Sequence, residues 1–185
     1  MANFNRAQVF NLGYFYELPF GAGKPFYSHP NWLGRELASG WQVSVTATAE
    51  TGLPLEITAT DTSNTGGIHT QVADRVCDGR LSSDQRSIQK WFNTACFVQP
   101  AAGRLGSSGR NVLTGPSLLN FDISAFKKFP FGEQKFVQFR TDFFNAFNHP
   151  PFSVGQTQAV TASTYGQITS AGAARVIQMS LQVSF

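Results

Sequence analysis

Apolar and polar residues alternate along several stretches of the chain, and the helical period is nearly absent. Alternation with a period of two marks a strand with one apolar and one polar face. Near the start, Phe10, Leu12, Tyr14, Tyr16 and Leu18 share one face, with Val9, Asn11, Gly13, Phe15 and Glu17 on the other. Turn residues follow at Pro19, Gly21, Gly23 and Pro25, and residues 26–38 read as irregular or as a short helical turn. Trp41, Val43, Val45, Ala47 and Ala49 then alternate with Gln42, Ser44, Thr46, Thr48 and Glu50. The phase runs on through Thr51-Gly52 to Leu53, Leu55, Ile57 and Ala59, which predicts one long strand over 40–60 with a local irregularity at Gly52 and Pro54. At ~3.3 Å per residue it would run roughly 70 Å, far beyond a globular strand.

Residues 61–117 lack sustained alternation and are rich in Gly, Ser, Asn and Asp, so they read as a long loop. Alternation returns in Phe121, Ile123 and Ala125 against Asn120, Asp122 and Ser124. A short turn at 130–134 leads to Val137, Phe139, Thr141 and Phe143 against Gln138, Arg140 and Asp142. A second loop covers roughly 148–174, with short pairing expected around Tyr165 to Thr169. In the last strand Ile177, Met179, Leu181, Val183 and Phe185 face one way, and Gln178, Ser180, Gln182 and Ser184 the other.

The pattern therefore predicts an all-β chain: an antiparallel up-and-down meander of about five long strands, at about 6–18, 40–60, 118–129, 135–147 and 175–185. Such strands suit an open segment of a large transmembrane β-barrel with long extracellular loops. Composition agrees with a sheet of two unlike faces. Only 14% of residues are charged and 14% are aromatic, mostly Phe; the charged fraction of a typical soluble domain is about 25%. A secreted carbohydrate-binding β-sandwich shares much of this composition and is the competing architecture. The net charge of +3 is too small, and too scattered, for a nucleic-acid partner. No run of about 18 apolar residues forms a membrane helix.

Connection lengths set directions. Short turns of outer-membrane barrels are periplasmic and long loops extracellular. Residues 118–129 then descend, 135–147 ascend, and the final strand descends to leave the C-terminus in the periplasm. The start, Met1 to Phe10, lacks the charged head and apolar run of a signal peptide, so Met1 is expected not to be the natural start.

Several stretches carry a family resemblance. Gly40-Trp41-Gln42-Val43-Ser44, Thr51-Gly52-Leu53-Pro54, Trp91-Phe92-Asn93-Thr94 and Gly109-Arg110-Asn111-Val112-Leu113 are four of them. Phe139-Arg140-Thr141-Asp142-Phe143-Phe144-Asn145-Ala146-Phe147-Asn148-His149-Pro150 is the most specific, beside the terminal strand. Tyr165-Gly166-Gln167-Ile168-Thr169-Ser170-Ala171-Gly172 and Arg175-Val176-Ile177-Gln178 complete the set. Together they resemble TonB-dependent receptors of the Oar-like type over nearly all of residues 6–185.

That resemblance implies a large barrel of about 22 strands with an internal plug, an N-terminal TonB box and uptake of a substrate across the bacterial outer membrane. Plug and TonB box are absent from these residues, and five strands are too few to close a barrel when the smallest have about eight. The expectation is a truncated chain whose remaining barrel and plug lie upstream. The implied partners are outer-membrane lipid, that upstream part, TonB through it, and the barrel assembly machinery. The terminal face of Ile177, Met179, Leu181, Val183 and Phe185 resembles the signal this machinery reads.

No catalytic constellation, cofactor motif or metal-ligand spacing emerges, and no enzymatic role is expected. His29, His69 and His149 are scattered, and loop packing is preferred to ligation for His149. Ser107-Ser108-Gly109 lacks the strand-to-helix frame of a nucleophile elbow. Cys77 and Cys96 are candidates for a disulfide, which would contribute roughly 3 kcal/mol by closing a loop; two independent buried thiols are the alternative. Arg140 and Asp142 share the inward face as a candidate lumenal ion pair or plug contact, with solvated charges the alternative. Within 61–117, six cations face four acids, a net +2. A solvated loop is preferred to a surface for an anionic ligand or lipopolysaccharide. Trp91 and Phe92 beside Cys96 are expected to form a small loop core. Besides uptake, a non-transporting surface or adhesive outer-membrane β-protein fits the pattern. The sandwich makes a separate demand: it must bury Phe139, Phe143, Leu181 and Val183 between two sheets.

Overall fold

A computed structural model describes residues 2–21, 23–29, 31–63 and 70–185. His69 lies outside the described residues. The strands run in chain order as β1 (Val9–Glu17), β2 (Trp41–Glu50), β3 (Pro54–Thr60), β4 (Thr70–Val72), β5 (Asp74–Arg75), β6 (Phe97–Val98) and β7 (Leu113–Thr114). There follow β8 (Leu118–Pro130), β9 (Phe136–Phe144), β10 (Phe152–Ser153), β11 (Thr157–Ala159), β12 (Ser170–Ala171) and β13 (Val176–Ser184). One helix, α1 (Trp32–Ala38), lies between β1 and β2. The chain divides into two compact units.

The first unit comprises Phe10–Ala49, Leu119–Pro150 and Ala173–Phe185. It is built on a five-stranded sheet in the order β1-β2-β8-β9-β13, which is the meander that alternation predicts. β9 pairs antiparallel with β8 and with β13, in a register that sets Phe139 beside both Lys127 and Leu181, and Phe143 beside both Ile123 and Ile177. The Leu18 N–H donates to the Trp41 carbonyl at 2.8 Å, and the Thr51 N–H to the Gln8 carbonyl at 3.0 Å, which fixes β1 antiparallel to β2. Even positions of β1 therefore share a face with odd positions of the other strands. That face carries Leu12, Tyr14, Val43, Val45, Ile123, Phe139, Met179 and Leu181; the opposite face carries Ser44, Thr46, Asp122, Ser124, Arg140, Asp142, Gln178 and Ser180.

No second sheet covers the apolar face among the described residues. Met179, Leu181 and Val183 are 70%, 69% and 53% exposed, and Phe139 and Phe143 are half-buried. A β-sandwich would bury all of them against a second sheet, so the sandwich reading is discarded. The two short connections, 18–40 and 131–135, leave one end of the sheet, and the two long ones leave the other. At the long-connection end Asn145, in the Phe-Phe-Asn-Ala-Phe-Asn-His-Pro run, turns the chain out of β9. Its φ is +50°, its N–H donates to Asp122 Oδ1 at 2.9 Å, and its Nδ2 donates to the Ala173 carbonyl at 3.0 Å. Asn tolerates this left-handed backbone because its side chain satisfies local hydrogen bonds.

The second unit comprises Met1–Val9, Glu50–Leu118 and Pro151–Gly172. Its centre is β3, paired antiparallel with β4 and β7 and parallel with β11. Leu55, Ile57 and Ala59 of β3 pack with Ala73, Phe92, Cys96, Phe97, Leu113 and Val154 in a core. The described residues of 61–117 are thus part of a folded unit with a core, not an irregular loop. Buried polar side chains tie its turns down. Gln71 accepts from the Gly106 N–H at 2.9 Å, Asp74 accepts from the Ser107 N–H at 2.9 Å and pairs with Arg104, and Gln158 accepts from the Gly166 N–H at 3.0 Å. Each replaces a hydrogen bond to water that folding removes.

Two expectations about strands are corrected. Residues 40–60 are not one strand: β2 ends at Glu50, residues 51–53 leave the ladder, and β3 joins a different sheet. Thr51 gives its N–H to Gln8, the Leu53 carbonyl accepts from the Gly115 N–H at 2.8 Å, and Pro54 has no N–H to offer. The parity persists because odd residues of β2 lie on the apolar face of the sheet and odd residues of β3 in the core of the second unit. The expected pairing around Tyr165 to Thr169 is also displaced, to β10 with β12 and to β11 with β3. Gly166, at φ +77°, breaks the extended run there. Gly52 makes the break at 51–53 possible: a Cβ on it would lie 1.9 Å from the Gly115 carbonyl oxygen, whereas one on Gly13 would meet nothing within 4 Å. Gly52→Ala is expected to cost about 1–3 kcal/mol through overpacking and Gly13→Ala little, as read by equilibrium urea unfolding.

Candidate functional site

A cleft of about 450 Å³ lies within the second unit. Its walls come from Arg6 and four chain segments that sequence distance keeps apart: Leu53 and Leu55, Gly115 to Leu118, Pro151 to Gln156, and Ser170 to Gly172. Hydrogen bonds hold these segments in place. The Gly115 N–H reaches Leu53 at 2.8 Å, the Thr169 N–H reaches Ser153 at 2.8 Å, and the Gly172 N–H reaches Pro151 at 2.7 Å. Leucines, prolines, Phe152 and Val154 make the surface largely apolar, and Ser117, Ser153, Ser170 and Gln156 supply polar groups.

Arg6 is the one charged side chain on the wall. Its Nε lies 2.9 Å from Glu50 Oε2 and its Nη1 donates to the Thr51 carbonyl at 2.8 Å, so the guanidinium is fixed and partly neutralised. The wall includes no His, Cys, Asp, Glu or Lys. The arrangement offers burial of apolar surface with a few placed hydrogen bonds, as a binding cleft does. Sequence reading missed these residues, since no local pattern marks segments that meet only in three dimensions.

A smaller hollow of about 140 Å³ lies between Arg80, Arg86, Trp91 and Leu113. The Arg86 guanidinium sits 4.8 Å from the centre of the Trp91 ring, and the Trp91 Nε1 donates to the Thr114 carbonyl at 2.9 Å. Four of the six cations of residues 61–117 are held in ion pairs. Arg75 and Arg80 share Asp78, Arg104 pairs with Asp74, and Arg110 pairs with Glu56 at 2.9 Å.

The remaining candidates fall as follows. A disulfide joins Cys77 to Cys96 and closes a loop of sequence separation 19. Phe92 is buried, edge-on to Phe97 and to Tyr165 with centroids 6.2 and 5.3 Å away. Burial pushes the Tyr165 phenol well above its ordinary pKa. Arg140 and Asp142 form an ion pair on the polar face at 2.8 Å, with Ser124 hydrogen-bonded to both. His29 lies 3.0 Å from the Ser28 hydroxyl and His149 is exposed. Among the described residues no group of His, Cys, Asp and Glu gathers as a metal site would require.

An apolar face with no second sheet over it, backed by a polar face in an up-and-down meander, is what the wall of a barrel in lipid requires. The family comparison decides it: residues 1–178 match the model of the outer membrane beta barrel domain. The chain belongs to that family. No curated protein and no solved structure matches it. In an outer membrane beta barrel domain the crossing is made by strands, and none of the described helices is long and apolar enough to cross. The protein is therefore an outer-membrane β-protein. Leu12, Val43, Ile123, Phe139, Met179 and Leu181 share the apolar face of its sheet, and Ser124, Arg140 and Asp142 the polar one. The terminal residues Ile177, Met179, Leu181 and Val183 all lie on the apolar face.

Proposed function

We propose that this chain is the C-terminal barrel part of a TonB-dependent receptor-like protein of the Oar-like type, and that the whole protein takes up a substrate across the outer membrane. The observation that carries the reading is the folded second unit. It keeps its own core and disulfide, and it holds a preformed cleft suited to an amphipathic or largely apolar ligand. A bare connection between barrel strands has no need of one. The sequence runs that resemble Oar-like receptors support the same reading.

In this proposal the role is binding and transport, without catalysis. The long connections face the cell exterior and Phe185 ends in the periplasm. The final strand is the surface read by the barrel assembly machinery, the partnering barrel strands and plug lie upstream, and TonB engages that upstream part. Arg140 and Asp142 face the lumen, where a plug would sit. The test is the upstream coding sequence together with energised uptake. A plug domain with a TonB box is expected there, and uptake is expected to stop when the inner-membrane proton gradient is collapsed. An upstream sequence without a plug sinks the transport reading.

A non-transporting surface role has one observation in its favour. Val76, Ile88 and Leu105 of the second unit are 64%, 57% and 57% exposed, more apolar surface than a purely solvated loop needs.

A further inference from the structure

The sheet carries one cation where lipid would least tolerate it. Lys127 of β8 is on the bilayer face, beside Phe139, and is only 4% exposed. A charged side chain at such a position needs partners of its own. It finds them at the end of α1: its Nζ donates to the carbonyls of Glu36 and, at 3.4 Å, Arg35. The last carbonyls of a helix have no intrahelical donors and carry the negative end of the dipole. Lys127 satisfies the Glu36 carbonyl and adds a second donor to the Arg35 carbonyl, which also accepts from the Ser39 N–H at 3.3 Å, and the Trp41 Nε1 donates to the Leu37 carbonyl at 2.8 Å. The helix is thereby fastened to the bilayer side of the sheet by two side chains from adjacent strands.

Fastening leaves the helix with unpartnered apolar residues. Trp32, Leu33 and Leu37 are 73%, 47% and 61% exposed, and no residue of α1 is buried. At ~100° per residue the three fall within an arc of about 140°. Glu36 lies within that arc and is half-exposed, its carboxylate 3.4 Å from Arg35 Nε. Such a mixture suits the boundary of headgroups and acyl chains better than water or hydrocarbon. Tyr16, Trp41 and Phe129 share the bilayer face at the same end of the sheet, where an interfacial aromatic girdle belongs. A helix of seven residues is marginal by itself in water, so an external surface has something to stabilise.

We propose that α1 is an interfacial anchor: it lies in the headgroup–acyl boundary of one leaflet, phospholipid is its partner, and Lys127 is the tether that sets its depth. The surface is continuous with the bilayer face of the sheet, which makes lipid, rather than a protein, the occupant.

The test uses the full chain in phosphatidylethanolamine–phosphatidylglycerol vesicles, with a nitroxide at Leu37→Cys. References are Met179→Cys, mid-strand on the bilayer face, and Ile88→Cys in the second unit. Collision with oxygen against collision with a water-soluble nickel chelate reads depth. The Leu37 label is expected between the two references, and Lys127→Met is expected to shift it toward the Ile88 value. A Leu37 label as wet as Ile88, one shielded from both relaxers, or one that Lys127→Met leaves in place overturns the proposal. A water-like Met179 defeats the bilayer face itself, and the anchor with it.

Discussion

Arginine in place of Leu181 is expected to destabilise the membrane-inserted protein by about 2–4 kcal/mol, the cost of a cation near the bilayer midplane on a barrel's outer face. Leu181 is 69% exposed and stands beside Phe139 in the register of β13 with β9, so its side chain meets lipid and little else. The adjacent residue is the control. Gln182 stands beside Gln138 on the inward face, and Gln182→Arg is expected to change stability by no more than about 0.5 kcal/mol, as surface substitutions do. Urea unfolding in lipid vesicles measures both. Equal losses for the two variants would mean that β13 does not present unlike faces to lipid and lumen, and the barrel-wall reading would fall. The same face contains the terminal residues proposed as the assembly signal, so the yield of inserted Leu181→Arg is expected to drop as well.

Phe92→Ala is expected to cost the second unit about 3–5 kcal/mol, the usual loss for emptying a buried aromatic site. Phe92 is 2% exposed, and its ring is edge-on to both Phe97 and Tyr165. The neighbours cannot collapse easily into the space. Cys96 is held by the disulfide, and the chain on the other side is pinned by the Trp91 N–H bonded to the Gly166 carbonyl at 2.7 Å. The loss is expected to be regional, because stability is not uniform across a structure. Amide hydrogen exchange should accelerate in β3, β4 and β11 and stay slow in β8 and β9. Acceleration in β8 and β9 to the same degree would show that the core around Phe92 is not a separate cooperative unit.

The sheet was legible in advance because its information is local. In β8, β9 and β13 each residue's face follows from its neighbours two positions away, and a barrel wall places those faces against media as different as lipid and water. Alternation located these strands to within a few residues and identified the two faces. Periodicity could not reveal the division between β2 and β3. Parity runs unbroken through residues 51–53, and the interruption depends on Gly115 lying against Gly52 from more than sixty residues away.

The candidate site was legible only in fragments. The Cys77, Cys96 and Phe92 cluster could be suspected from composition. The cleft could not, since Leu53, Pro116, Phe152 and Ser170 become neighbours only after β3 has collected β7 and β11. Lys127 shows the same limit. On the alternation pattern it is a cation on an apolar face near a strand end, and only the fold brings the carbonyls of Arg35 and Glu36 to it.

The sequence by itself determined the strands of the sheet and their unlike faces. The tertiary structure decided that no second sheet covers the apolar face, that the described residues of 61–117 belong to a folded unit, where the cleft lies, and what holds Lys127. The first set depends on a repeat of two residues and on the large difference in free energy between lipid and water for each side chain. The second depends on contacts between distant segments, whose partners are fixed by shape and by hydrogen bonds formed only when the chain is closed upon itself.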